Sequence, residues 1–144
     1  MIQVLATNII SPLGFTTQEN YQAVKAGKSA LFCQEVWKGI PHAFTASLFS
    51  KEQEDRFLVP GFTRYESLVI ASIKEALLHT DVNLHGNRTA LVISTTKANV
   101  ENLSMDAHAD NSYSSPATSA LKIARHLGFT TQPIVVCNAC ISGV

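Results

Sequence analysis

Apolar and polar positions along the 144-residue chain group into strand-like apolar runs separated by helical stripes. Ile2 to Ile10 is rich in β-branched residues and stops at Ser11-Pro12-Leu13-Gly14, a turn signal, so a first strand is predicted there. Thr16 and Glu19 stand at capping-box spacing, where each side chain can satisfy an amide at the helix start, and Gly27 punctuates the end. A helix from about Thr17 to Ala26 follows. Ser29 to Ser50 is mixed, with Phe32, Trp37, Phe44 and Phe49 around Gly39 and Pro41, and a loose hairpin is the expectation, although periodicity does not settle it. Thr63 and Glu66 repeat the capping-box spacing, and Tyr65, Leu68, Val69, Ser72, Ile73, Ala76 and Leu77 then fall on one helical stripe. Arg88 to Thr96 contains Ala90-Leu91-Val92-Ile93, a run too apolar to alternate faces, which predicts a central strand covered on both sides. Asn99 to Asp110 reads as the start of another helix. Ser115 before Pro116 places a cap and a first-turn proline together; Ala117, Ala120, Leu121, Ala124 and Leu127 form a stripe, and Gly128 closes it. Pro133 then releases Ile134-Val135-Val136-Cys137, a last strand expected to be buried.

Strands separated by helices imply an α/β fold with a mostly parallel sheet and covering helices. The pattern shows neither a repeat nor a linker, so residues 1–144 read as one domain. A buried parallel strand with no covering element after it reads as an unfinished sheet, hence as a truncated protein, and self-association is expected of it.

Composition narrows the classes. Hydrophobic residues make up 46% of the chain, which excludes disorder and low complexity. Charged residues are 15%, below the roughly 25% usual for soluble domains. Eleven basic and eleven acidic residues cancel, leaving no basic field for nucleic acid or an anionic membrane. Three cysteines, Cys33, Cys137 and Cys140, are odd and sparse, unlike a secreted disulfide scaffold, and the cytoplasm is the expected compartment. Met1 to Gly14 lacks the basic region and cleavage pattern of a signal peptide, and polar residues interrupt the long uncharged stretch from Leu127 onward, making it a poor membrane span.

Cys140 is the leading candidate for chemistry. A cysteine just after a strand, followed by small residues, can sit on a tight turn at a helix start, where amides and the helix dipole favour the nucleophilic thiolate. A cysteine so placed can equally be a small buried hydrophobe. Spacing alone leaves both open.

The segment Val136-Cys137-Asn138-Ala139-Cys140-Ile141-Ser142-Gly143 resembles the active-site cysteine segment of β-ketoacyl-[acyl-carrier-protein] synthases, members of the thiolase-like superfamily. Further matches follow in the family's order: the strand Val4 to Ile10 into Ser11-Pro12-Leu13-Gly14, Val24-Lys25-Ala26-Gly27-Lys28-Ser29 closing the first helix, the strand Leu91 to Thr95, and Ala124-Arg125-His126-Leu127-Gly128 before the nucleophile strand. The resemblance spans the whole chain and implies a thiolase-like layered α/β fold, incomplete in this chain. It also implies a 3-oxoacyl synthase acting by ping-pong. The Cys140 thiolate takes an acyl group from acyl carrier protein or acyl-coenzyme A; malonyl-carrier protein then loses carbon dioxide and its carbanion attacks the acyl-enzyme. Homodimerisation of the complete protein is implied as well, with no metal and no cofactor.

The chain departs from the family at several points. Ala6 and Asn8 stand where glycines are usual, Ser94-Thr95-Thr96-Lys97 replaces a glycine-rich stretch, and Asn138 replaces a common threonine. These changes leave the nucleophile in place and open the question of acyl-chain specificity. The family's two catalytic histidines and a second oxyanion donor belong to its C-terminal half, and none of His42, His79, His85, His108 or His126 matches those motifs. The 144-residue polypeptide is therefore expected to be inactive in condensation.

Two other classes compete. Cys137-Asn138-Ala139-Cys140 is a C-x-x-C, the pattern of thiol redox proteins, although it lacks the adjacent tryptophan and intervening proline of thioredoxin-like sites. A non-catalytic interaction module would also suit the low charge and unfinished sheet. Zinc lacks ligands at suitable spacing, Ser94-x-x-Lys97 lacks the partner motifs of serine acylases, and no nucleotide-binding glycine motif occurs.

Overall fold

A computed structural model describes residues 1–35, 39–103 and 111–143. Trp37, His108, Val144 and most of the helix expected from Asn99 to Asp110 lie outside the described residues. The elements are α1 (Thr17–Lys25), β1 (Leu31–Gln34), β2 (Phe44–Ser47), α2 (Lys51–Phe57), α3 (Arg64–Leu77), β3 (Val92–Ser94), α4 (Pro116–Leu127) and β4 (Ile134–Val136), with 3₁₀ turns at Val100–Asn102, Ser112–Ser114 and Ala139–Ile141. The fold is a small mixed α/β arrangement with two two-stranded sheets among the described residues, one antiparallel and one parallel. No described helix is long and apolar enough to cross a membrane. Two compact units form: Met1–Val59 with Ala71–Thr80, and Pro60–Ile70 with Asp81–Val144.

In the first unit, α1 starts as its sequence dictates. Thr16 Oγ1 accepts from the Glu19 amide, and the Glu19 carboxylate accepts from the Thr16 amide, so the capping box closes in both directions. Ser11 and Gly14 exchange backbone hydrogen bonds at 2.9 and 3.0 Å, which makes Ser11-Pro12-Leu13-Gly14 a tight turn. The hairpin expected within Ser29–Ser50 is present as β1 antiparallel to β2, with Leu31 opposite Ser47 and Gln34 opposite Phe44. Phe15, Phe49 and Phe57 cluster with ring centroids 5.2 to 6.5 Å apart, and the Arg56 guanidinium lies 3.8 Å from the Phe15 centroid. α2 has its own capping box between Ser50 and Gln53, a spacing the sequence carries just after its aromatic-rich stretch.

The first strand expected at Ile2–Ile10 does not form. A strand needs a ladder partner, and this segment is tied down instead by side chains. Asn20 Nδ2 reaches the Ile9 carbonyl at 3.0 Å, while Asn8 Nδ2 reaches the Phe15 carbonyl and Ser72 Oγ. Most of its apolar side chains stay in solvent, Ile2 at 98% and Val4 at 79% exposure, while Ala6 and Ile10 are half-buried.

The second unit holds the parallel pair. β3 and β4 run side by side with Val92 opposite Ile134, Ile93 opposite Val135 and Ser94 opposite Val136, and α4 lies between them in sequence, so the segment is a β-α-β crossover. Ile70, Leu91, Ile93, Ala120, Ile123 and Ala124 are its buried apolar residues. The expectation of a central strand covered on both faces fails at β3. Leu91 and Ile93 are buried while Val92 is 57% exposed, because the two-stranded sheet has one covered face. β4 differs likewise: Ile134 and Val136 are exposed and only Val135 is half-buried.

The helices keep their predicted places; the buried line differs from the expected stripe in α3 and agrees with it in α4 only at Ala120 and Ala124. In α3 the residues shielded from water are Glu66, Ser67 and Ile70 rather than the apolar stripe, whose members are half-buried. In α4 they are Ser119, Ala120, Ile123 and Ala124, while Ala117 and Leu121 are exposed. Gly128 closes α4 at φ 85°, a left-handed position that suits glycine. Of the helix expected from Asn99, a 3₁₀ turn at Val100–Asn102 is described.

Candidate active site

Cys140 lies at the C-terminal edge of the parallel pair, just past β4, on the 3₁₀ turn Ala139–Ile141. It is exposed and free in this chain. Open α/β sheets offer ligands the space beyond the carboxyl ends of their strands, and this is where the cysteine stands.

The turn is built by a few polar contacts. The Asn138 carbonyl accepts from the Ile141 amide at 3.1 Å, and the Ala139 carbonyl accepts from the Ser142 amide at 3.3 Å. Ser142 is buried; its Oγ accepts from the Asn138 amide at 2.8 Å and donates to the Ala139 carbonyl at 2.7 Å. Its own carbonyl accepts from Ser94 Oγ, which ties the turn to the end of β3. Ala139 pays for this compactness with φ 46°, a left-handed conformation that an L-residue with a Cβ avoids. Among the described residues the Cys140 amide has no acceptor, so it is free to donate to an oxygen held beside the thiol.

Neighbouring groups border the turn. Cys137 is exposed and its Sγ lies 4.0 Å from the Thr96 carbonyl. The Thr95 amide donates to the Val136 carbonyl at 3.0 Å, extending the parallel ladder toward the cysteines. Burial pushes the Tyr65 phenol above its usual value, the Thr95 side chain opposes this, and the nearby Cys137 adds to it. Lys97 is exposed at the strand end. His42, His79, His85 and His126 are exposed, and none has a hydrogen bond to the Cys140 turn among the described residues. No group of three or more potential metal ligands occurs among the described residues.

Sequence reasoning missed a buried polar cluster in the same unit. Glu66 is 2% exposed at the start of α3. One carboxylate oxygen accepts from Lys122 Nζ at 2.8 Å and from the Thr63 amide at 2.9 Å; the other accepts from Ser119 Oγ at 2.9 Å. Asn99, fully buried, bridges Ser119 Oγ and Thr63 Oγ1 at 2.7 Å each. Burial pushes the Glu66 carboxyl up, but the Lys122, Thr63 and Ser119 hydrogen bonds and the Lys122 charge together hold it below the ordinary carboxylate value. Phe62 packs edge-on to His126 at 4.7 Å and carries Lys122 Nζ 4.6 Å from its centroid, and these residues border a cleft of about 700 Å³. The capping-box spacing of Thr63 and Glu66 was visible in the sequence; the burial of the carboxylate was not.

No family model, no curated protein and no solved structure matches the chain.

Proposed function

We propose that the chain is the N-terminal portion of a β-ketoacyl-[acyl-carrier-protein] synthase with a thiolase-like layered fold, and that Cys140 accepts the acyl group. One observation carries the reading: an exposed cysteine on a strained turn directly beyond the carboxyl end of a parallel strand. This is the placement a covalent nucleophile needs, since the thiol must meet a thioester carbonyl while a backbone amide meets the developing oxyanion.

In the first half-reaction the Cys140 thiolate attacks the thioester carbonyl of acyl carrier protein or acyl-coenzyme A, and the carrier thiolate leaves. The Cys140 amide stabilises the charge on the carbonyl oxygen in transit. The second half-reaction joins this acyl group to the carbanion left when malonyl-carrier protein loses carbon dioxide. It needs groups that polarise the malonyl thioester, and no histidine of this chain matches the family's motifs for that role. The complete protein is proposed to be a cytoplasmic homodimer.

Peptide mass spectrometry after exposure to an acyl thioester tests the reading, using native protein captured from its source cells with an antibody against this chain. A thioester on Cys140, with none on Cys33 or Cys137 and none after Cys140→Ala, is the expected result. Acyl label on another cysteine, or none anywhere, overturns it. The isolated 144-residue chain should decarboxylate malonyl-carrier protein no faster than its Cys140→Ala variant.

A further inference from the structure

We propose that Cys137 is a resolving thiol for Cys140, so that mild oxidation by hydroperoxide closes a reversible Cys137–Cys140 disulfide across the turn. The observations begin with the spacing. Two residues separate the thiols, and the backbone changes direction at both: Asn138 lies at φ −139°, ψ 55°, outside the extended region, and Ala139 is left-handed at φ 46°. A disulfide requires the chain to fold back until its Cα atoms are within about 7 Å, and a C-x-x-C turn is the shortest common spacing that does so without tertiary rearrangement.

Accessibility is the second observation. Both cysteines are exposed and free, so an oxidant of the size of hydrogen peroxide reaches either. The two differ in engagement: Cys137 Sγ faces the Thr96 carbonyl, whereas Cys140 Sγ has no hydrogen-bond partner among the described residues. Cys140, the unengaged thiol, is accordingly the one proposed to be attacked first, with Cys137, three residues before it in the chain, as its partner. The third cysteine, Cys33, belongs to the other compact unit and lies on β1.

The step balances as follows. The Cys140 thiol gives up its proton, the thiolate attacks one oxygen of hydrogen peroxide, the O–O bond breaks, and Cys140 becomes a sulfenic acid while the departing hydroxide takes up that proton and leaves as water. The Cys137 thiol then loses its proton, its thiolate attacks the sulfenic sulfur, the S–O bond breaks, and the departing hydroxide takes up the released proton and leaves as a second water. Two thiols have lost two electrons and two protons, and one peroxide has become two waters. A dithiol reductant reverses the bond by exchange. Without Cys137 the same turn offers no resolving thiol, and a second hydrogen peroxide, losing water, oxidises the sulfenic acid to sulfinic acid, which dithiothreitol does not restore.

The regulatory consequence rests on the acyl-acceptor reading: a disulfide-bonded Cys140 cannot take an acyl group, so oxidation would switch condensation off and shield the nucleophile from irreversible damage. The disulfide itself does not rest on that reading. The full 144-residue chain is treated with dilute hydrogen peroxide, then analysed by intact mass and by peptide mapping without reduction. Expected are the loss of two hydrogen atoms, a Cys137–Cys140 linked peptide, and complete recovery of both thiols with dithiothreitol. Cys137→Ser and Cys137→Ala are expected to gain two oxygen atoms at Cys140 with no recovery, and Cys33→Ser to behave as wild type. Linkage through Cys33, linkage between chains, or equal irreversible oxidation of Cys140 with and without Cys137 overturns the proposal. No acyl substrate enters the assay, so a chain that forms the disulfide yet never accepts an acyl group refutes the acyl reading and leaves this one standing.

Discussion

Glu66 keeps its charge in a position almost closed to water because three donors from α3's own start and from α4 surround its two oxygens. Removing the cation should hurt more than removing the charge. Lys122→Met strands a buried carboxylate and is expected to cost about 2–4 kcal/mol, whereas adding Glu66→Gln to it recovers part of that loss, as measured by urea unfolding of the two variants. The pH dependence follows from the direction of the shift. The carboxyl titrates near 4.5 when unfolded and lower when folded, so its contribution is fully present above that value and is lost as pH falls through the folded pKa. Glu66→Gln should flatten the fall in unfolding free energy between about pH 5 and pH 3; an unchanged slope would assign the acid sensitivity to other carboxylates. Sequence shows Glu66 at capping spacing and nothing more, since its burial depends on Ser119, 53 residues further along, and on Asn99.

Among the elements, those whose ends are marked by local chemistry were the legible ones. Thr16 with Glu19, Thr63 with Glu66, and Pro116 with Gly128 each settle a helix boundary within a few residues, because the bonds that end a helix are made by its neighbours in sequence. Strands were less legible. Ile2–Ile10 has the composition of a strand, but a ladder is made with a distant segment, and in the described structure that partner is absent. α3 and α4 were placed correctly, but the buried face of α3 was not and that of α4 was met only at Ala120 and Ala124, since which side of a helix faces the core is decided by what packs on it. Capping also divides the serines. Ser50→Ala should lower stability by about 1 kcal/mol in urea titrations because Ser50 Oγ accepts from the Gln53 amide, while Ser115→Ala should change it by under about 0.5 kcal/mol because the Ser115 side chain caps nothing.

For the whole molecule the dominant feature is apolar surface left in water. The chain exposes 10222 Å², against about 7,200 Å² for a folded monomer of this length, and Met1, Ile2, Val4, Leu5 and Leu78 are each more than half exposed. The two-stranded sheets add open edges able to pair with another chain. Self-association is expected in size-exclusion chromatography with light scattering, and Ile2→Lys with Val4→Lys should shift the distribution toward monomer; a sharp monomer peak from the wild type would contradict it. The division into two units has a different consequence, for any attempt to move the cysteine-bearing part into another protein. That part takes Pro60–Ile70 from the middle of the chain before resuming at Asp81. A graft beginning at Asp81 would carry β3, α4, β4 and Cys140 intact, yet leave Lys122 and Ser119 facing the place of a carboxylate that stayed behind, and Asn99 without Thr63. Natural recombination meets the same obstacle: a crossover near residue 80 separates the cysteine-bearing turn from part of the unit it belongs to, so the two stretches must be inherited together.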